Sequence, residues 1–187
     1  MKFFPVLQSG IWLCFIFCSC LHTQVSRKTS AGENLSFEIA EKGRPVNWII
    51  YEPHNCDYRA TLDSIQPKEG MVALRFDMST CSREDRIDYT GFTNEFMERT
   101  RGGGRFRISF WMKNTGTHYR IYLNETGAKE SGNEPILIES SDTINEWKQY
   151  QAEVNVQPEK WLRFELQVKG SGSCWMDAVQ IVRIEGM

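Results

Sequence analysis

Between Arg105 and Lys113 the chain alternates without a break. Phe106, Ile108, Phe110 and Met112 take every second position, and Arg107, Ser109, Trp111 and Lys113 fill the places between. Side chains on a strand point to opposite faces with a period of two, so this segment buries one face and opens the other. Helical burial would need a repeat near 3.6 residues instead. The same repeat recurs in Met71–Asp77, where Val72, Leu74 and Phe76 share a face, and in Trp161–Lys169, where Leu162, Phe164 and Leu166 do. Further strands are predicted at Leu35–Ile39, Asn47–Tyr51, Arg59–Ile65, Tyr119–Asn124, Ile136–Ser140, Trp147–Val156 and Cys174–Ile184. Turn residues separate them, as in Pro67–Gly70 and Gly102–Gly104. Helical periodicity is weak, and only Thr93–Arg99 suits a turn or two of helix. Roughly eight to ten short strands with hairpin-length gaps predict an all-β sandwich or jelly roll of two antiparallel sheets.

The chain has 187 residues, which suits one ordinary domain. Lys plus Arg is 22 and Asp plus Glu is 24, a net charge of −2, so the concentrated basic face of a nucleic-acid binder is not expected. Aromatic residues make up 12%, with six Trp, which is enough to serve both a core and a ligand. Catalytic signatures are missing: no G-x-S-x-G, no HExxH, no P-loop, and no G-x-G-x-x-G before a helix. Gly102–Gly104 leads into a strand and does not cradle phosphate. His22, His54 and His118 are widely separated, and no CxxC or His/Cys cluster suggests a transition-metal site.

The first twenty residues read as an export leader. Lys2 precedes an apolar stretch, Ile11–Phe17 is wholly apolar, and the next charge is Arg27. Pro5, Gln8, Ser9 and Gly10 interrupt it, so it is too short to span a membrane. Phe17-Cys18-Ser19-Cys20 resembles a loose bacterial lipoprotein box, with Cys20 as the lipidated residue. Cleavage around Gln24 to give a freely secreted chain, or a retained signal anchor, are the alternatives. Residues 21–33 read as a flexible tether and 34–187 as the domain. Cys14 and Cys18 belong to the leader; Cys56 and Cys81 flank a turn-rich segment and are candidates to pair in an oxidising compartment. Cys174 is expected to be a buried small hydrophobe.

Six segments in order resemble carbohydrate-binding modules of the cellulase and xylanase accessory type, with the galactose-binding-like jelly-roll fold. They are Asn34-Leu-Ser-Phe-Glu38 with Trp48, Lys68–Arg75, Arg107–Lys113, Glu146-Trp-Lys-Gln-Tyr150, Leu162–Leu166 and Gly172–Val179. The resemblance implies a structural Ca²⁺ held by Glu38 and Asp177 with the carbonyls of Ser36 and Met71, although Ala178 stands where the family often has a second Asp. It places Trp48, Trp147 and Trp175 in the core and a glycan on one concave sheet face.

Alternation supplies the physics of such a face. With Phe106, Ile108, Phe110 and Met112 inside, Arg107 and Trp111 turn outward; likewise Arg163, Glu165 and Gln167, and Arg120 and Tyr122. Trp111, Tyr122, Arg107, Arg163, Glu165 and Gln167 are therefore expected to share one open face. There an aromatic platform stacks on sugar C–H surfaces and planar groups bond hydroxyls. Tyr51 and His54 are candidates to edge it, Trp161 is a candidate loop aromatic, and the charges of Arg83–Arg86 read as a solvated loop. The first reading is an exported, non-catalytic carbohydrate-binding module of a bacterial cell envelope or surface, or a secreted one, touching membrane only through its lipid. The alternatives are a structural sandwich whose face meets an envelope protein partner, and a glycoside-active enzyme of unrecognised site.

Overall fold

The computed structural model describes residues 34–51, 57–79, 90–127 and 136–184, with the side chains of 98 and 136 excepted. Twelve strands are present among them: β1 (Ala40–Glu41), β2 (Arg44–Pro45), β3 (Ile49–Tyr51), β4 (Tyr58–Asp63), β5 (Ala73–Met78), β6 (Thr90–Glu95), β7 (Gly104–Thr115), β8 (His118–Thr126), β9 (Ile136–Ser140), β10 (Ile144–Val156), β11 (Trp161–Lys169) and β12 (Gly172–Ile184). One short helix, α1 (Met97–Thr100), interrupts them. The strands form two five-stranded sheets, ordered β10-β7-β12-β5-β4 and β3-β6-β11-β8-β9, plus the small β1-β2 ribbon. All neighbours are antiparallel.

Alternation builds the core between the sheets. Leu74, Phe76, Phe106, Ile108, Phe110, Met112, Cys174 and Met176 enter from the first sheet, and Phe92, Tyr119, Ile121, Leu123, Leu162, Phe164, Leu166 and Val168 from the second. Aromatic rings bridge the gap: Phe76 stacks on Phe92 at 5.6 Å, and Phe110 meets Phe164 edge-on at 5.4 Å. Cys174 is buried and free, and burial pushes its thiol up to about 12.

Three expectations fail locally. Leu35–Ile39 is not a strand. Phe37 drops its ring into the core from a left-handed backbone, φ 62°, and the Asn34 amide takes the place of a ladder by donating to Ile39 O and Val46 O and accepting from Ile39 N–H. Thr93–Glu95 belongs to strand β6, and helix begins only at Met97. In β6 the residues flanking Phe92 are Gly91 and Thr93, so no apolar repeat announces a strand. The Thr90 and Thr93 hydroxyls donate to the carbonyls of Tyr51 and Phe164 instead. Trp48 is in the core, 6% exposed, but Trp147 and Trp175 are only half-buried on the outside of the first sheet. Their turn at the surface follows from register, since Trp175 pairs with outward Lys113 and Arg75.

Candidate ligand-binding face

The outer surface of β3-β6-β11-β8-β9 carries a polar and aromatic set laid out by register. Gln167 lies between Gly91 and Arg120, Glu165 between Thr93 and Tyr122, and Arg163 between Glu95 and Asn124. Arg163 is the hub. Its Nη2 donates to the Tyr51 hydroxyl at 2.9 Å and lies 3.2 Å from Glu165 Oε2, while Nε donates to Thr93 Oγ1 at 3.3 Å. Glu165 Oε1 accepts from Gln167 Nε2 at 2.6 Å. Burial works to lower the Arg163 guanidinium, but the Tyr51 hydroxyl and the charges of Glu165 and Glu95 outweigh it and hold it charged. Toward the β9 edge, Arg120 Nε donates to Glu139 Oε1 at 2.7 Å, and His118 Nε2 reaches the same oxygen at 2.7 Å. Those partners hold the Glu139 carboxyl below its usual range, the Arg120 hydrogen bond first among them.

Gly91, paired with Gln167, is buried in β6. A Cβ there would meet the Leu166 carbonyl oxygen at 1.8 Å, so β6 and β11 approach too closely for any side chain. Trp161 stands at one end of the face, half-buried, with its indole N–H donated to Glu95 Oε2 at 3.0 Å. The arrangement presents two phenol-bearing rings and an indole around a fixed lattice of planar donors and acceptors, with both arginines paired to carboxylates.

Of the expected face, Arg163, Glu165, Gln167 and Tyr122 come together, joined by Tyr51 from β3. Arg107 and Trp111 do not. They lie on β7 in the other sheet, facing outward with the whole core between the two groups. Period two tells inside from outside but not which sheet a strand joins. Arg107 instead pairs with Glu153 Oε1 at 2.9 Å, and the Lys68 ammonium sits 3.8 Å from the Trp111 ring centroid. Gly91, Thr93 and Glu95 were not anticipated, because β6 lacks the repeat that marks the other strands. His54, Cys20, Cys56, Cys81 and Arg83–Arg86 lie outside the described residues.

Glu38 and Asp177 both grip the turn between β4 and β5. Asp177 Oδ2 accepts the N–H groups of Lys68 and Glu69 at 2.7 and 2.9 Å, and its Oδ1 accepts that of Ala178 at 2.6 Å. Glu38 Oε1 accepts those of Met71 and Val72 at 2.8 and 3.2 Å. Gly70 has φ +67°, and a Cβ there would lie 2.2 Å from Glu38 Oε1, so glycine lets the turn close on the carboxylate without moving it. Burial, with the Glu38 charge adding to it, raises the Asp177 carboxyl against the three N–H donors. Among the described residues these two carboxylates, which repel each other, have no cationic partner, and oxygen donors of this kind suit a hard cation. Among the described residues no three His, Cys, Asp or Glu side chains gather, so such an ion would rely on backbone carbonyls for the rest of its shell.

No family model and no curated protein matches the chain. Solved structures do. The enzymatically active domain of tailspike protein 4 of bacteriophage CBA120 superposes with a TM-score of 0.64 at 16% identity, over 82% of this chain and 21% of that one. This chain thus spans about a fifth of the length of that domain's chain. TmCBM61, solved with β-1,4-galactotriose, gives 0.57 at 14% identity over 83% of this chain and 99% of the module. The CBM22-1 xylan-binding domain of Paenibacillus barcinonensis Xyn10C gives 0.53 at 12% identity over 81% and 93%. The chain is therefore a jelly-roll β-sandwich with the fold of carbohydrate-binding modules.

Proposed function

We propose that the chain is a non-catalytic glycan-binding module whose ligand lies across the outer face of β3-β6-β11-β8-β9. The observation that carries this reading is the Tyr51–Arg163–Glu165–Gln167 network beside Tyr122, a preformed lattice on the outer surface of this sheet. Tyr122 supplies a ring for the C–H face of a sugar, and Arg163, Glu165 and Gln167 supply oriented partners for its hydroxyls. The fold shared with a module solved on a galacto-oligosaccharide and with a xylan-binding domain supports the ligand class. The apolar leader with its Cys20 box supports export to a cell surface. Glu38 and Asp177, with the carbonyls of Ser36 and Met71, would hold a calcium ion that braces the β4–β5 turn and takes no part in chemistry.

A glycan array on the wild type, followed by titration of the best neutral glycan, tests the reading. Tyr122→Ala and Arg163→Ala, each with an unchanged circular dichroism spectrum, are expected to weaken binding about tenfold or more, the equivalent of ~1.4 kcal/mol. Trp111→Ala, on the opposite face, is expected to leave that titration unchanged. Binding that survives both substitutions, or an array without a hit, overturns the assignment of this face.

A further inference from the structure

The opposite face carries an independent arrangement. Along β7 the outward residues are Arg105, Arg107, Ser109, Trp111 and Lys113, a line about 26 Å long at ~3.3 Å per residue. Register sets planar amides along it, with Gln149 beside Trp111, and Gln151 and Gln180 on the two sides of Ser109. The Lys113 ammonium lies between two indoles, 4.7 Å from the Trp147 centroid and 5.2 Å from that of Trp175. Both rings are anchored at their N–H ends, Trp147 to Gln66 O at 3.1 Å and Trp175 to Asp63 Oδ2 at 2.8 Å. Lys68 adds its ammonium over Trp111.

Positive charge exceeds negative along this line. Among the described residues no carboxylate lies within ion-pair distance of Lys113 or Lys68; their ammoniums rest on aromatic faces. Arg105 and Arg107 share the single carboxylate of Glu153, and their side chains stay 57% and 47% exposed. Asp177 stands beside Trp111 on β12 but is buried and takes the N–H groups of Lys68, Glu69 and Ala178, while Asp63 and Asp77 lie toward the β4–β5 side and both pair with Arg75. A chain with regularly spaced anions, hydroxyls for amides and apolar ring faces for indoles complements this surface. We propose that the outer face of the β10-β7-β12-β5-β4 sheet is a second binding site, taking an acidic polysaccharide along β7.

Affinity gel electrophoresis with polygalacturonate, dextran sulfate and a neutral xylan in parallel gels tests this on the full chain. Polygalacturonate is expected to retard the wild type in low salt, with retardation falling steeply as ionic strength rises. Arg107→Gln combined with Lys113→Gln is expected to weaken it about tenfold, while Tyr122→Ala binds polygalacturonate as the wild type does. Retardation by dextran sulfate but not by polygalacturonate assigns the anion as sulfate rather than uronate and upholds an acidic-glycan site. No retardation by either polyanion, retention undiminished in the double variant, or binding to phosphatidylglycerol vesicles without either polyanion overturns the proposal. Because Tyr122 lies on the other face, failure of the neutral-glycan reading and failure of this one are separately visible.

Discussion

In β11, Arg163 turns outward to Tyr51 and Glu165, while Phe164, one residue on, packs against Trp48, Phe92 and Phe110 at centroid distances of 5.9, 6.0 and 5.4 Å. The two side chains answer to different physics, one to hydrogen bonding and charge at the surface and one to burial. Phe164→Ala is expected to cost about 3–5 kcal/mol, a fall in Tm of roughly 6–20 °C at 2–4 °C per kcal/mol. A thermal melt that moves by less than 2 °C would contradict the central place of this ring. At this scale much of the site was legible: alternation alone turned Arg163, Glu165, Gln167 and Tyr122 outward. What it could not show is that Tyr51, near the end of a three-residue strand, completes the network. That contact joins residues 112 positions apart.

The β4–β5 turn is the element most dependent on distant residues. Its backbone N–H groups are held by a carboxylate from before β1 and another from within β12. Burial raises the folded-state pKa of Asp177 above its ordinary value of 3.8. Without a cation, its contribution to stability is present below that value and is lost as pH rises through the raised pKa. A bound calcium ion favours the charged carboxylate and reverses this. Calcium at about a hundredfold over its Kd is thus expected to stabilise the fold by ~2.7 kcal/mol, or roughly 5–10 °C in Tm. The effect should be larger at pH 7 than at pH 4, be reversed by chelator, and vanish in Asp177→Asn. A Tm indifferent to calcium and chelator at pH 7 would remove the ion from the account. Among the elements, β11 was legible from end to end, since Trp161–Lys169 alternates throughout. β6 was not, because Phe92 is its one large apolar side chain in the core, and its other ties are the close approach of Gly91 to β11 and threonine hydroxyls bonded to neighbouring backbones.

Across the whole molecule, the last strand closes the structure. β12 lies between β7 and β5 and sends Cys174, Met176, Val179 and Ile181 into the core. A chain ended at Ser171 would leave β5 and β7 without the strand between them and expose their inner faces. It is expected to lose its cooperative thermal transition by circular dichroism; a sharp transition in the truncated chain would refute this dependence. The sequence by itself determined that this chain is an all-β sandwich, and it determined which side chains of most strands face inward. Alternation is a property of local backbone geometry, and burial enforces it residue by residue. Only the tertiary structure decided that β7 and β11 belong to different sheets. That choice put Trp111 and Arg107 on one outer surface and Tyr122, Arg163, Glu165 and Gln167 on the other. Sheet membership follows from pairings between strands far apart in the chain, and those depend on how every strand fits the shared core, which no local repeat encodes.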